Sequence, residues 1–205
     1  MVSCGAFPRS GGPRCRRTLE DRLTAWIALI GLSGAGKTEV APLVASRLGL
    51  TAVDLDALVE RETGTSVAAL IETRGESAFR AAESGALRDA LSGEGTGRSG
   101  VIAIGAGALG SAENRERLRA GAFVVWLRVE PRTAARRVGP GGAEARPLVR
   151  EEPERKLREL LEARAGTYRA AADAEVDTEG RTIAEVAEAV VAAWEAGSRW
   201  GSSAS

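Results

Sequence analysis

Gly31-Leu32-Ser33-Gly34-Ala35-Gly36-Lys37-Thr38 lies directly after an apolar run, residues 26–30, and directly before a helical pattern. The stretch matches the spacing GxxxxGK[ST], whose glycines let backbone N–H groups curl around phosphate oxygens. The helix start adds the positive end of its dipole, Lys37 can reach β and γ phosphates, and Thr38 can ligate magnesium. A chance glycine-rich turn is the alternative, but the strand before it and the helix after it favour a phosphate-binding loop.

Short β-branched runs alternate with helical patterns along the chain, and no internal repeat is present. This alternation predicts a parallel sheet covered by helices. The five predicted strands are residues 26–30, 50–54, 100–104, 122–129 and 175–177. The predicted helices begin near Lys37, Ala57, Ser66, Gly75, Ala112, Arg132, Glu151 and Thr182. Glycines and a proline in residues 139–145 are expected to prevent a helix there and to form a mobile lid.

The composition narrows the chemistry that the chain can perform. It has 205 residues, 28 basic and 28 acidic side chains and no histidine. The lack of histidine excludes Ser-His-Asp and Cys-His catalysis and histidine-ligated metal sites. Balanced charge gives no reason to expect a nucleic acid or a membrane as a partner, and no apolar run approaches the roughly 20 residues that span a bilayer. Cys4 and Cys15 indicate neither a disulfide framework nor a metal site, so a reducing cytoplasm is the simplest location.

Both ends of the chain are expected to be loose segments around one domain, residues 25–195. The leader, residues 1–24, is rich in arginine and lacks the apolar middle of a secretory signal. We interpret it as a disordered tail, and the alternative of a transit peptide is weakened by Glu20 and Asp21. Residues 196–205 are rich in Gly and Ser and are also expected to be disordered.

A second glycine motif and two acidic residues follow other predicted strands. Gly105-Ala106-Gly107-Ala108-Leu109-Gly110 matches GxGxxG, which by itself suggests a dinucleotide. We favour a glycine-rich strand end, since one domain with a phosphate-binding loop has little room for a second nucleotide.

Asp54 and Asp56 stand two residues apart, so a continuing strand would point both carboxylates to one side. Ligands collect at the carboxyl ends of parallel strands, so the pair predicts magnesium and a base, with a helix cap at Asp56 as the alternative.

Two charged residues, Arg164 and Glu83, occur on predicted helix faces that are otherwise apolar. Arg164 shares the 3.6-residue periodicity of neighbouring leucines and Tyr168, and an arginine in that position needs an anion. Arg80 lies four residues after Glu76 and three before Glu83. It is therefore either part of an exposed ion pair or a binding residue, and spacing leaves both readings open.

Together, these motifs resemble those of the shikimate kinase family over roughly residues 26–195. The resemblance rests on their order along the chain: the phosphate-binding loop, Asp54-Leu55-Asp56, Gly75-Glu76 with Phe79-Arg80, Gly105-Ala106-Gly107, Arg146-Pro147-Leu148, and Arg164 ahead of Tyr168. It implies an α/β fold like that of P-loop nucleoside-monophosphate kinases, with a five-stranded parallel sheet, helices on both faces and a mobile lid near residues 139–150. It also implies a monomer that uses Mg2+ and transfers the ATP γ-phosphoryl group to the 3-hydroxyl of shikimate.

The resemblance gives each candidate site residue a role. Nucleotide binding is implied for Gly34, Ala35, Gly36, Lys37, Thr38, Glu39 and Arg146. Substrate binding is implied for Asp56, Arg80, Gly105, Ala106, Gly107 and Arg164, with both arginines on the shikimate carboxylate. Thr38 and Asp54 would hold magnesium, and the implied catalytic residues are Lys37, Asp56 as the base, and Arg146 on the lid. Phosphoryl transfer needs positioning, charge neutralisation and exclusion of water, which these residue types can supply.

Three positions depart from the usual pattern of the family. Ala106 replaces the middle one of three glycines, Leu55 replaces a Thr or Ser, and Gly166 stands where Pro is common. If the backbone at Ala106 needs a positive φ, its Cβ costs about 1–2 kcal/mol and intrudes on the substrate. Leu55 is expected to belong to the core. The open hypotheses are a shikimate kinase, a kinase for another small hydroxylated ring or sugar acid, and a non-catalytic ligand-binding module.

Overall fold

The computed structural model describes residues 26–93, 99–142 and 152–199. Within them, five strands alternate with seven α-helices. The strands are β1 (Trp26–Ile30), β2 (Thr51–Asp54), β3 (Gly100–Ala103), β4 (Ala122–Arg128) and β5 (Ala174–Asp177). The helices are α1 (Lys37–Leu48), α2 (Leu55–Thr63), α3 (Val67–Ser92), α4 (Ala112–Gly121), α5 (Pro131–Gly142), α6 (Pro153–Ala171) and α7 (Ile183–Arg199). A short 3-10 turn, Ala108–Gly110, lies between β3 and α4.

The five strands form one parallel sheet in the order β2-β3-β1-β4-β5. β1 is central and all five of its residues are buried, as expected for a continuous apolar run covered on both faces. Since β2, β3 and β1 are parallel neighbours, the segments that follow Asp54, Ala103 and Ile30 leave the sheet at the same edge. The sheet order thus brings together the three predicted site segments.

Helices cover both faces of the sheet, which confirms the predicted three-layer α/β fold. α1 packs against α7, while α4 contacts α3, β4 and α6. Trp26, Ile102 and Leu127 are fully buried between these layers. Leu55 is also fully buried, which confirms its predicted place in the core.

Two predicted helix starts change in the structure. α2 begins at Leu55 instead of near Ala57, because the side chain of Asp54 caps it. The helices predicted from Ser66 and from Gly75 form one element, α3, with a kink at Gly75 (φ 84, ψ 164). Glycine adopts this positive φ without the penalty that a Cβ would bring. No helix among the described residues is both long and apolar enough to cross a bilayer.

The expectation that residues 139–145 cannot form a helix is wrong for the first four of them. α5 continues through Gly142. α5 packs against α6, and tertiary packing can outweigh an intrinsic cost of about 1 kcal/mol for a Gly and about 3 kcal/mol for a Pro. The remainder of the predicted lid, residues 143–150, lies outside the described residues.

Candidate functional site

One crevice collects most of the predicted site residues. It is a cavity of about 560 Å³ at the carboxyl edge of β1, β2 and β3. Its wall includes the predicted residues Gly34, Ala35, Gly36, Lys37, Thr38, Glu39, Asp54, Asp56 and Gly105. From the phosphate-binding loop the cavity continues along Arg137, Thr178, Arg181 and Ile183. The predicted residues of three separate stretches of sequence therefore share one cavity with residues that were not predicted.

Backbone geometry favours glycine at Gly31, Gly34 and Gly36 of the phosphate-binding loop, all of which have a positive φ. Gly34 (φ 81) and Gly36 (φ 85) both lie in the left-handed region. A Cβ on Gly34 would also lie 2.5 Å from the carbonyl oxygen of Ala134 in α5. The loop is thus curled by its glycines and pressed against α5.

Lys37 is the first residue of α1, and its ammonium group is held by the loop itself. Its Nζ donates hydrogen bonds to the carbonyl oxygens of Gly31 at 3.0 Å and Leu32 at 2.8 Å. The N–H groups of the first helical turn lie beside this cation, and both favour an anion. The arrangement is suited to a polyphosphate.

Thr38 and Asp54 meet in the crevice. Thr38 Oγ1 donates to Oδ2 of Asp54 at 2.8 Å, and Asp54 Oδ1 accepts the N–H groups of Asp56 at 2.9 Å and Ala57 at 3.3 Å. Asp54 is therefore the cap of α2, so the alternative that Asp56 caps this helix is wrong. β2 ends at Asp54, so strand periodicity does not relate the two carboxylates, although both line the cavity.

The oxygens of Thr38 and Asp54 are of the hard type that Mg2+ prefers. Across residues 26–93, 99–142 and 152–199, no group of three or more His, Cys, Asp and Glu side chains could hold a metal. Mg2+ usually keeps several waters and binds through one or two carboxylates together with substrate phosphates. The pair fits a metal ion that arrives with a nucleotide.

Beyond Gly105, two side chains of α6 meet at one backbone carbonyl. Arg164 Nη1 donates to the oxygen of Ala106 at 3.0 Å, and the Tyr168 hydroxyl donates to the same oxygen at 2.9 Å. Tyr168 is fully buried, and Arg164 lies one helical turn before it. The arginine on the apolar face of this helix thus reaches the glycine-rich segment, and the anion that its spacing calls for stays a prediction.

Arg80 forms the ion pair with Glu76 that its spacing allowed and a second ion pair with Glu83, while its role as a binding residue stays a prediction. Nη2 pairs with the exposed carboxylate of Glu76 at 2.9 Å, and Nη1 pairs with the buried carboxylate of Glu83 at 2.8 Å. Burial alone would lower the pKa of Arg80, but hydrogen bonds to Glu83 and Glu76 and their charges raise it above its ordinary value. A Cβ on Gly107 would lie 2.5 Å from Nη1 of Arg80. A permanently charged guanidinium therefore packs directly on this glycine.

Comparison with known proteins identifies the family. The family model described as shikimate kinase matches residues 33–195. The chain belongs to the shikimate kinase family. The shikimate kinase of Symbiobacterium thermophilum is 41% identical over 161 residues, which cover 78% of this chain and 90% of that protein. The shikimate kinase of Streptomyces coelicolor is 40% identical over 169 residues, which cover 82% of this chain and 95% of that protein.

A solved structure agrees with this family assignment. The shikimate kinase of Acinetobacter baumannii, determined in complex with shikimate, matches this chain with a TM-score of 0.78 and 33% sequence identity. The match covers 84% of this chain and 94% of the other. The family resemblance inferred from the ordered motifs is therefore confirmed by sequence and by fold.

The departures from the usual shikimate kinase pattern cause no backbone strain. Among the described residues, Glu152 is the only non-glycine residue with a positive φ, so Ala106 does not bear the cost expected for a left-handed conformation. Gly107 has an ordinary φ of −95, and the lack of a Cβ there lets the guanidinium of Arg80 approach closely. A Cβ on Gly166 would meet no atom within 4 Å, so a helical glycine replaces proline without a packing consequence.

Sequence reasoning missed Arg137 and the contact that Tyr168 makes. Arg137 Nη1 donates to Thr178 Oγ1 at 3.0 Å and Nη2 to the Thr178 carbonyl at 2.9 Å, in the wall of the cavity. Arg136 and Arg137 are neighbours in the sequence. The apolar residues of α5 are too few to predict which of these two arginines faces the crevice. Tyr168 was noted as a member of the apolar face, and nothing in the pattern distinguishes its hydroxyl from that of a core tyrosine. Arg146 lies outside the described residues.

Proposed function

We propose that the protein is an ATP-dependent shikimate kinase, which produces shikimate 3-phosphate for aromatic amino-acid biosynthesis. The observation that carries the proposal is the crevice, which joins the phosphate-binding loop and Asp56 to Gly105. Beside the cavity wall, Arg164 and Arg80 contact the two residues that follow Gly105. We also propose that the enzyme is a cytoplasmic monomer, with ATP and shikimate as its partners instead of a nucleic acid or a membrane.

ATP binds along the phosphate-binding loop in this proposal. Gly34, Ala35 and Gly36 offer N–H groups to the phosphates, followed by Lys37, Thr38 and Glu39 at the start of α1. The base would lie in the part of the cavity lined by Arg137 and Ile183. A planar guanidinium can stack on a nucleobase, and the hydrogen bonds to Thr178 hold Arg137 ready for that contact. Thr38 and Asp54 would hold Mg2+, which neutralises charge on the transferred phosphoryl group when bound.

Shikimate binds where Arg80 and Arg164 flank the segment of residues 105–107. A guanidinium has five N–H donors in a fixed fork, and two such forks can hold one carboxylate. Arg164 gives Nη1 to the Ala106 carbonyl, and its other donors can point to the substrate. N–H groups of the segment itself would complete the site.

The transfer step needs a base and a leaving group in line. The 3-hydroxyl oxygen of shikimate forms a bond to the γ-phosphorus of ATP, while the bond from that phosphorus to the β–γ bridging oxygen breaks. ADP leaves with the electron pair, and the carboxylate of Asp56 takes the hydroxyl proton. Lys37 stabilises the charge that moves to the β–γ oxygens, and Arg146, as the family resemblance implies, would add positive charge at the phosphates.

A coupled ADP-release assay with MgATP tests the proposal. ADP release is expected to depend on shikimate, and phosphorus NMR should show a phosphate ester on the 3-hydroxyl. Gluconate and cyclitols serve as matched acceptors in parallel reactions. Equal or faster transfer to one of them would reject shikimate as the cognate substrate, and no transfer to any acceptor by protein that binds ATP would indicate a binding module.

A further inference from the structure

The Ala106 carbonyl accepts hydrogen bonds from two side chains, those of Arg164 and Tyr168. The second donor, Tyr168, is the single tyrosine of the chain. It is fully buried, and its ring lies 5.7 Å from the ring of Trp126, centroid to centroid. Its hydroxyl donates to the segment that is expected to receive shikimate, at 2.9 Å.

We propose that Tyr168 is a positioning residue for shikimate, which orients the peptide between Ala106 and Gly107 and, through the shared carbonyl, the guanidinium of Arg164. The inference rests on the proposed function, because it concerns the same acid-binding site. Tyr168 does not itself touch the reacting atoms.

The first part of the inference follows from peptide geometry. The described residues contain no cis peptide bond, and in a planar trans peptide the C=O of one residue and the N–H of the next point in opposite directions. Holding the Ala106 carbonyl towards α6 therefore turns the N–H of Gly107 away from α6. Rotation of this peptide would withdraw that N–H from the side on which it is offered to a ligand.

The second part follows from the two lone pairs of a carbonyl oxygen. Tyr168 and Arg164 both donate to the oxygen of Ala106, at 2.9 Å and 3.0 Å. With its Nη1 anchored, the fork of Arg164 loses rotational freedom before the substrate arrives, and preorganised groups bind more tightly. Without the tyrosine hydroxyl, only the side chain of Arg164 holds this carbonyl from α6, so the peptide is less firmly oriented and the anchor of Arg164 moves with it.

The rest of the segment is held independently of Tyr168. The buried Asn114 donates from Nδ2 to the Ala108 carbonyl at 3.0 Å, and Arg115 donates from Nη1 to the Leu109 carbonyl at 2.7 Å. Both donors come from α4, so the 3-10 turn keeps its anchors when the hydroxyl is removed. The effect of removing it should therefore be confined to shikimate binding.

Steady-state kinetics of Tyr168→Phe in the full-length enzyme test the inference. We expect the KM for shikimate to rise about 3- to 10-fold, with kcat and the KM for ATP within about 2-fold of wild type, because uniform binding is lost. Thr63→Val is the matched control, since it also removes a hydroxyl that donates to a carbonyl, that of Val59 at 2.7 Å, away from the crevice. An unchanged KM for shikimate, or an equal rise for ATP, would overturn the role of Tyr168.

A double-mutant cycle and a spectroscopic probe add independent readouts. In an Arg164→Lys background, Tyr168→Phe should raise the KM for shikimate by less than about 2-fold, because the residue acts through that guanidinium. Replacing the single tyrosine by 3-fluorotyrosine gives one fluorine NMR signal, which should shift with shikimate and stay in place with a non-hydrolysable ATP analogue. Additive effects in the cycle would contradict the inference. A fluorine signal that shikimate leaves unmoved would also contradict it, and this readout does not depend on the folding of Tyr168→Phe. Wild-type enzyme without shikimate-dependent ADP release would instead refute the proposed function.

Discussion

The proposed phosphate site in the crevice and the proposed acid site beside Gly105, which we call the phosphate end and the acid end, are built in different ways. At the phosphate end, the single stretch of residues 31–38 supplies the loop, the ammonium group and the hydroxyl, and carbonyls of the same stretch hold Lys37. At the acid end, Arg80 comes from α3, Gly107 from the segment after β3, and Arg164 from α6. These three meet only because the whole domain folds.

This difference separates the two tasks of a kinase. Backbone N–H groups and one cation recognise a polyphosphate, which any ATP-dependent enzyme must do, so a short local pattern suffices. Recognition of one particular acid needs a shaped set of side chains, which distant elements supply and carbonyls hold in place. Changes at the phosphate end should therefore affect turnover, and changes at the acid end should affect the choice of substrate.

The largest effect is expected for Lys37→Ala, which removes the cation of the phosphate end. kcat should fall about 10³-fold, because a positioned charge is lost where charge moves in the transition state. The chain contains one other lysine, Lys156 in α6, so Lys156→Ala is the matched control and should keep wild-type kcat. ADP release within about 10-fold of wild type in Lys37→Ala would mean that the loop is not the catalytic phosphate site.

Gly107→Ala should damage the acid end alone. The new Cβ would overlap the guanidinium of Arg80, which sits at the far end of a flexible side chain and can move aside. We expect the KM for shikimate to rise about 10- to 100-fold while the KM for ATP stays near wild type, since a charged hydrogen-bonding group is displaced. Gly110→Ala is the control, because a Cβ there meets no atom within 4 Å. Equal effects of the two variants would refute the role of Arg80.

A smaller effect is expected for Arg137→Gln, in the part of the cavity assigned to the base. The KM for ATP should rise about 3- to 10-fold, with the KM for shikimate unchanged, because stacking on a base is typically worth about 1 to 2 kcal/mol. Arg136→Gln serves as the control, since Arg136 is exposed and donates to Thr133 Oγ1 at 2.9 Å. If Arg136→Gln weakened ATP binding as much as Arg137→Gln, the contact would be a general charge effect.

The smallest effect concerns folding stability at the start of α7, behind the base site. The Thr182 N–H and hydroxyl donate to the Glu185 carboxylate, both at 2.8 Å, which lowers the pKa of that exposed group below its ordinary value of 4.5. A lowered folded-state pKa adds stability above the unfolded-state pKa, and this stability is lost as the pH falls through the folded value. Urea unfolding should show wild type slightly more stable than Glu185→Gln at pH 7, with the difference vanishing in acid. A difference that stays constant with pH would show that the carboxylate charge is not its cause.

The sequence predicted the phosphate end almost completely, because its information is local. The glycines that need positive φ, the lysine and the threonine occupy fixed positions in one motif, and the apolar run of β1 fixes the strand before it. Asp54 was predicted as a site residue, but its role as the cap of α2 was not. The strand was expected to continue past Asp54, so the helix start directly after it was not predicted. α5 shows the limit of propensity, because its packing on α6 extends a helix through residues that the sequence alone marks as breakers.

The residues proposed for the acid end were named from the sequence, but their hydrogen bonds and ion pairs were not predicted. Spacing identified Arg164 and Glu83 as charged residues on apolar helix faces, but it did not predict that Arg80 pairs with the buried Glu83. Tyr168 and Asn114 donate hydrogen bonds to carbonyls of the segment after β3. Tyr168 is far from this segment in the sequence, and Asn114 follows it after a turn whose shape the sequence does not specify. Hydrogen bonds from side chains to particular carbonyls depend on backbone orientation, which periodicity does not encode.

The most direct test of this account is equilibrium binding of shikimate and of a non-hydrolysable ATP analogue to wild type and to Arg164→Ala. The loss of a charged donor at the acid end should weaken shikimate binding about 10- to 150-fold, while the affinity for the ATP analogue changes by less than about 2-fold. Parallel losses for both ligands, or shikimate binding that survives the substitution, would contradict a phosphate end and an acid end that are built separately.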